Sequence, residues 1–178
     1  MKLHLGCGQR FIEGWIHIDA LDSLHIDHVC EIDDLSFISD STVDLIYASH
    51  VLEHFTRSRT WDVLKEWVRT LKPGGTLRLA VPDFAVLASL YIETSNIEIV
   101  KGPVCGRQNN KYNIHYNIFD EASLGRLMQD SGLHNIHRWD WRTTEHSDVD
   151  DFSQAYYPHL DKQNGRLLSL NLEGYKPL

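Results

Sequence analysis

An open, mostly parallel α/β sheet with right-handed crossovers is the fold this sequence predicts, and three observations predict it. The apolar run Leu3-His4-Leu5 ends in a glycine pair, Gly6-Cys7-Gly8. A second run, Trp15-Ile16-His17-Ile18-Asp19, ends in a carboxylate. From there to the helix after Asp83, strand-like and helix-like patterns alternate. Buried parallel strands read as short apolar runs, and helices between successive strands are what a parallel sheet needs to close its crossovers. A glycine pair straight after a strand lets the backbone turn sharply and approach a ligand with no Cβ in the way. A carboxylate at the tip of the next strand is where such a sheet holds a ribose by its two hydroxyls. Gly-x-Gly also occurs in ordinary turns, so the pair takes its weight from Asp19.

The remaining elements follow in order. Residues 26–32 read as a third strand tipped by Glu31, and residues 43–50 have the near-continuous apolar content of a central strand ending in polar residues. Between positions 58 and 71, Trp61, Leu64, Trp67, Val68 and Leu71 recur at three- and four-residue steps, an amphipathic helix with one buried face on which the tryptophans are core anchors. Lys72-Pro73-Gly74-Gly75 stops that helix, residues 76–83 form a fifth strand, and a helix runs from Phe84 to the neighbourhood of Glu93. Residues 95–118 carry Gly, Asn, Tyr and His with little periodicity, and a long irregular segment in a compact domain reads as a substrate cover. Asp120 caps a helix with Leu124, Leu127 and Met128 on one face, ended at Ser131-Gly132. Residues 135–141 and 166–175 alternate apolar and polar side chains as two late strands, joined by an acidic and aromatic loop, 143–165, which with 95–118 forms the expected substrate side. In the group Trp139, Trp141, Tyr156, Tyr157 and His159, aromatic faces beside acids suit sugar rings as well as they suit packing of that loop.

Composition sets the bounds. The 178 residues fit one domain, 1–178, with a real core. A formal charge of −8 and no Lys/Arg cluster argue against nucleic acid, which leaves small or carrier-linked substrates. No apolar run approaches the roughly 18 residues of a membrane span, and the first residues enter a strand rather than a signal peptide, so a cytoplasmic protein is expected. Cys7, Cys30 and Cys105 are odd in number and lack metal spacing, which fits reduced thiols.

These motifs resemble the class I S-adenosylmethionine-dependent methyltransferases, in particular the small methyltransferase-11-like group often seen among surface-polysaccharide genes. Leu5-Gly6-Cys7-Gly8 looks like the family's first motif, Asp19 its ribose acid and Glu31-Ile32 its adenine-binding position. The run from Val43 through Ser49-His50-Val51-Leu52-Glu53-His54, followed by Leu71-Lys72-Pro73-Gly74-Gly75, is the most specific part. The resemblance implies a Rossmann-like three-layer sandwich whose seven strands run in the order 3-2-1-4-5-7-6 with the last antiparallel. It implies S-adenosyl-L-methionine as cofactor, held by His4, Gly6, Cys7, Gly8, Asp19, Glu31, Ile32 and Ser49. The reaction it implies is methyl transfer to a hydroxyl or amine of a small or carrier-linked acceptor, with a saccharide expected.

Three departures from the family pattern matter. His4 stands where the family has an acid that orients the methionine ammonium, and a neutral imidazole supplies no countercharge. About ten residues separate Gly6 from Ile16, near the lower limit for a parallel crossover, so the first helix shrinks to a turn or two. The chain starts at the first strand, so the 95–118 lid or a second subunit of a homodimer is expected to cover the cofactor in place of an N-terminal helix. For a hydroxyl acceptor the protein must also take a proton, and His115 in the lid and His50 at the end of the fourth strand are the candidate catalytic bases. His50, Glu53 and His54 also resemble the Glu-x-x-Glu-His divalent set of some methyltransferases. His50 in place of the first Glu disfavours Mg²⁺, however, and Glu53-His54 read as capping and packing the turn, with no metal. A cofactor-binding module without turnover and a nicotinamide-dependent oxidoreductase are the alternatives.

Overall fold

The computed structural model describes residues 1–178. In chain order the strands are β1 (Lys2–Leu5), β2 (Ile16–Asp19), β3 (His28–Val29), β4 (Val43–Ser49), β5 (Leu71–Pro82), β6 (His134–Arg138), β7 (Tyr156–Tyr157), β8 (Arg166–Leu167) and β9 (Ser169–Tyr175). The helices are α1 (Thr60–Thr70), α2 (Phe84–Thr94), α3 (Ile97–Cys105) and α4 (Glu121–Asp130). Seven strands form one sheet in the order β3-β2-β1-β4-β5-β9-β6, with β7 and β8 a separate pair. Strands β1 to β5 run parallel, and β9 enters antiparallel between β5 and β6. With β9 as the seventh strand of this sheet, the order 3-2-1-4-5-7-6 is borne out. No helix is long and apolar enough to cross a membrane.

The pleat sorts the side chains. Leu3 and Leu5 of β1, Ile46 and Ala48 of β4, Leu77 and Leu79 of β5 and Leu170 and Leu172 of β9 join one core. Val63, Leu64, Trp67 and Val68 of α1 and Leu124 and Met128 of α4 belong to the same core. Helix α1 uses its apolar stripe as expected, except that Trp61 stays exposed and donates Nε1–H to the Asp130 carbonyl at 3.2 Å. A reciprocal capping box of Asp120 and Ser123 starts α4.

The opposite face carries His4, His17, Tyr47 and Arg78 in register, and its layer holds no α-helix, only single 3-10 turns at Trp141–Thr143 and Phe152–Gln154. It is covered by Ile12 and Trp15 of the first crossover and by Trp139 and the chain that follows it. The Tyr47 hydroxyl donates to Asp151 at 2.5 Å, Arg78 donates to Glu173 at 2.8 Å and to Glu145 at 3.1 Å, and His146 stacks on Tyr47 with ring centroids 4.2 Å apart. Trp139 and Tyr156 are buried in this packing, and Trp141 donates to the Tyr156 hydroxyl at 3.3 Å, so these aromatics serve the loop itself.

Five expectations are corrected. Strand β5 begins at Leu71 rather than at 76, so residues 72–75 lie within it, between the Val43–Leu71 and Leu45–Thr76 pairs, where the register shifts. The β1–β2 crossover holds turns and no helix, because a helix rising about 1.5 Å per residue cannot carry some ten residues across a layer and back along a strand, whereas extended chain at about 3.3 Å can. The third strand shrinks to His28–Val29 at the sheet edge. Residues 95–118 are irregular only from 106 onward, since Asn96 caps α3 by accepting from the Glu98 N–H at 3.1 Å; Gly102-Pro103 hides this helix in the sequence. The last strand breaks at Leu168, its first two residues pairing with β7 instead.

The buried ring of His4 sets an acid limit on this fold. Burial first, then the neighbouring His17, His146, His25 and Arg10, lower it from 6.5 to about 3. The unfolded chain therefore takes up this proton before the folded one does, and stability is lost progressively as pH falls from 6.5 toward 3, by on the order of 4 kcal/mol at the lower end. His4→Phe, which keeps a ring against Tyr47, is expected to move the acid-unfolding midpoint to lower pH when followed by circular dichroism; an unchanged midpoint would refute this assignment.

Candidate active site

Strand order reverses between β1 and β4, and in an open α/β sheet the crevice for a ligand lies beyond the carboxyl ends of the strands at that point. Here Gly6 and Gly8 adopt left-handed φ of 60° and 57°. A Cβ on Gly6 would meet a Val51 methyl at 2.5 Å, while one on Gly8 would have nothing within 4 Å. The first glycine is thus required by close packing and the second faces open space. Asp19 closes the cradle: Oδ2 accepts from the Gly8 N–H and Oδ1 from the Leu21 N–H, both at 2.8 Å. A carboxylate has about four lone-pair positions, so two remain for ligand hydroxyls.

Gly6, Gly8, Asp19, Glu31 and Ile32 line one cleft of about 380 Å³. The Ile32 carbonyl accepts from Trp67 Nε1 at 2.7 Å, which ties this wall to α1. Part of the 106–118 segment forms the far wall, where the Tyr112 hydroxyl donates to Glu31 at 2.8 Å. The other three expected cofactor residues lie elsewhere. His4 points to the aromatic face by strand alternation, where it stacks on Tyr47 at 5.3 Å. Cys7 offers only backbone between the two glycines, its thiol buried and pushed up to about 12 by desolvation and then by Asp19. Ser49, alternating with Ala48, does not reach the cleft, and its hydroxyl is buried.

A second cavity of about 480 Å³ adjoins the first and is lined by Arg10, Arg107, His115 and Phe152 among others; His50 and Asn113 belong to both. His50 holds a left-handed φ of 55°, uncommon for a side chain of its size, and its N–H donates to the Ala80 carbonyl at 2.8 Å. That bend turns the chain off β4 so that His50, Glu53 and His54 project toward the lid.

Glu53 is fully buried, and neither carboxylate oxygen has a hydrogen-bond partner. Burial pushes its carboxyl up to about 8. Three imidazoles surround it. His50 Nδ1 lies 3.4 Å and His115 Nε2 4.0 Å from Oε1, and the rings of His54 and His115 meet edge to face at 4.8 Å. Burial, followed by the neighbouring histidines, brings His50 to about 3 and lowers His115, and burial lowers His54, so all three are neutral near pH 7. Their tautomers follow from their partners, because a carbonyl only accepts. His115 Nδ1–H donates to Pro103 at 2.8 Å and His54 Nδ1–H to Ile114 at 3.1 Å, which leaves both Nε2 atoms bare. Asn171 Nδ2 donates to the Ser153 carbonyl at 3.0 Å and the Ser169 hydroxyl to Asn171 Oδ1 at 2.8 Å, so Ser169 accepts from His50 Nε2–H at 3.2 Å. His50 Nδ1 is bare as well.

From sequence Glu53 reads as a cap of the turn, and Tyr112, Asn113, Arg107 and Phe152 carry no local signal. Only tertiary folding reveals their part. The Glu53 carbonyl accepts the N–H groups of Tyr116 and Asn117 at 2.8 and 3.2 Å, and Asn117 Nδ2 donates to Phe55 at 2.7 Å, which docks the segment over the turn.

Residues 18–79 match the model of a family described as a methyltransferase domain. No curated protein matches the sequence. Among solved structures, an S-adenosylmethionine-dependent methyltransferase from Thermotoga maritima is similar at a TM-score of 0.62 and 14% identity, over 98% of this chain and 81% of that one. The 1,6-didemethyltoxoflavin-N1-methyltransferase of Burkholderia thailandensis, bound to 1,6-didemethyltoxoflavin and S-adenosylhomocysteine, gives 0.58 and 13% over 99% and 71%. A methyltransferase from Haloferax volcanii, in complex with the Trm112 methyltransferase activator, gives 0.57 and 18% over 99% and 82%. At these identities the likeness is one of fold. With the matched segment it bears out the resemblance to the class I S-adenosylmethionine-dependent methyltransferases.

The two glycines separate experimentally. An L-residue in the left-handed region costs about 1–2 kcal/mol, so Gly8→Ala should lose about that much in urea unfolding. Gly6→Ala adds the Val51 clash and should lose about 3 kcal/mol. The reverse ranking would overturn this account of the cradle.

Proposed function

We propose that this chain, with the fold and the central motif of the S-adenosylmethionine-dependent methyltransferases, transfers a methyl group to a hydroxyl or amine of a small or carrier-linked acceptor, with a saccharide as the acceptor class. The observation that carries the reading is the meeting of the two cavities at His50 and Asn113. A donor in the glycine-lined cleft and an acceptor in the second cavity would face each other there.

The residues present fit the adenosyl donor. Gly8 leaves its approach free of any Cβ contact, Asp19 keeps spare acceptor positions for ribose hydroxyls, and Ile32 offers an apolar wall with Glu31 at its edge. Bound there, S-adenosylmethionine supplies a methyl group already activated by its sulfonium. What remains for the protein is to position the acceptor, exclude water and receive a proton. His50 Nδ1 is bare and neutral at the junction, and His115 Nε2 stands across Glu53 from it. The 106–118 segment walls the far side of the cleft through Tyr112 and Asn113. No second subunit is needed for that wall. Arg10 and Arg107 bring two guanidinium groups to the acceptor cavity of a chain with net charge −8, which suits the phosphates of a carrier-linked sugar, and Phe152 offers a flat apolar face. The antiparallel β9 favours this reading over a nicotinamide-dependent oxidoreductase, whose usual order is 3-2-1-4-5-6.

S-adenosylhomocysteine is expected to raise the melting temperature, by an amount equivalent to about 2.7 kcal/mol at a hundredfold excess over Kd, while NAD does not. Labelled methyl from S-adenosylmethionine should appear on a member of a panel of sugar nucleotides and amines. His50→Ala should lower kcat by about 10²-fold or more with S-adenosylhomocysteine affinity retained. Stabilisation by NAD alone would overturn the reading.

A further inference from the structure

The hydrogen-bond account around Glu53 does not close on protein groups alone. The ligand-capable atoms of Glu53, His54 and His115 all lie within 4.8 Å of one another, at a position where the carboxylate is fully buried and both of its oxygens lack a donor. The bare Nε2 atoms of His54 and His115 and the bare Nδ1 of His50 add three lone pairs beside it. These nitrogens face the two cavities that His50, His54 and His115 line, whereas both Glu53 oxygens are buried with no partner at all. A buried polar group without a partner costs on the order of 1–3 kcal/mol, and a cation shared between the orphaned carboxylate and the imidazole nitrogens beside it would remove that cost.

We propose that Glu53, His54 and His115 hold a divalent transition-metal ion of the zinc class. Two imidazole nitrogens and one carboxylate oxygen suit zinc(II), iron(II) or manganese(II), whereas magnesium and calcium prefer oxygen throughout. The backbone carbonyls of Ile114 and Pro103 supply what ligating histidines commonly have, an acceptor for the second ring N–H that fixes the tautomer. Donors around a four-coordinate zinc stand about 3.4 Å apart for bonds near 2.1 Å. With the three atoms up to 4.8 Å apart and His115 4.0 Å from Glu53, the set closes on an ion through shifts of about 1 Å shared among the three side chains. His54 lines the cofactor cleft and His115 the acceptor cavity, so an ion here keeps an open position toward the place where the two meet. The ion's part in the reaction rests on the methyl-transfer reading: it would hold an acceptor oxygen in front of the donor, with His115 as a ligand and proton transfer left to His50. The site itself does not depend on that reading.

The test uses the full chain after treatment with a chelator. Calorimetric titration with zinc(II) should give one ion per chain, and cobalt(II) should give a visible absorption band that excess magnesium does not remove. His115→Ala and Glu53→Gln should each weaken zinc binding at least about tenfold, with melting temperature and circular dichroism confirming the fold. Because Glu53→Gln sits in the interior and can fail to fold, His115→Ala carries the decision. The exposed His159→Ala should change nothing, which guards against chance binding in a chain of eleven histidines. No saturable zinc binding, or unchanged affinity in His115→Ala, overturns the site. Titration of the same stripped protein with S-adenosylhomocysteine separates the two claims. Cofactor binding without zinc binding removes the metal site alone, and zinc binding without cofactor binding removes the methyl-transfer reading alone.

Discussion

The carboxylate of Asp19 is the constraint on which the carboxyl-terminal edge of the sheet depends. It takes one N–H from the loop after β1 and another from the loop after β2, so two chain reversals that share only a short stretch of ladder are held at one distance. Without that clasp Gly8 would have no reason to turn its N–H inward, and the floor of the cleft would not be set. Val51 fixes the same floor from the other side by packing where a Gly6 side chain would be. A side chain from β2 and one from the turn after β4 thereby shape the β1 loop, which makes the cradle a property of three adjacent strands.

The brevity of the first crossover has consequences across the molecule. With no helix between β1 and β2, one face of the sheet would stand open, and Trp15, Trp139 and the chain after Trp139 cover it instead. Chain without regular structure brings its own polar groups, so the covered face is not a simple apolar layer. It contains a hydrogen-bonded tyrosine–aspartate pair, an arginine held by two glutamates, and stacked imidazoles kept neutral by burial. The other face, under α1 and α4, is apolar throughout. The same sheet thus rests on dispersion and hydrophobic burial on one side and on satisfied polar contacts on the other.

At the mouth of the two cavities the logic reverses, because polar groups there are gathered without being satisfied. The strained φ at His50 turns Glu53 into the interior, and the docking of residues 116 and 117 onto the Glu53 carbonyl seals it there. An acid placed under a lid with three neutral imidazoles is costly as a structural element, and such costs concentrate where ligands bind.

The sequence by itself determined the parallel sheet, strands β1, β2 and β4, helix α1 and the glycine–acid pairing at the cleft, since each is written in local periodicity, in turn residues or in a spacing of a few positions. Gly6, Gly8, Asp19, Glu31 and Ile32 were legible as cleft residues because they stand at, or within three residues of, the carboxyl end of a strand, where the chain has to turn. His4 misled because strand alternation sends its ring to the other face. Only the tertiary structure decided that Glu53 is an orphaned interior acid, that Tyr112 and Asn113 reach the cleft, and that His50 stands in both cavities. Those facts arise from contacts between segments from about sixty to 119 residues apart, and no local pattern encodes the desolvation that such a contact imposes.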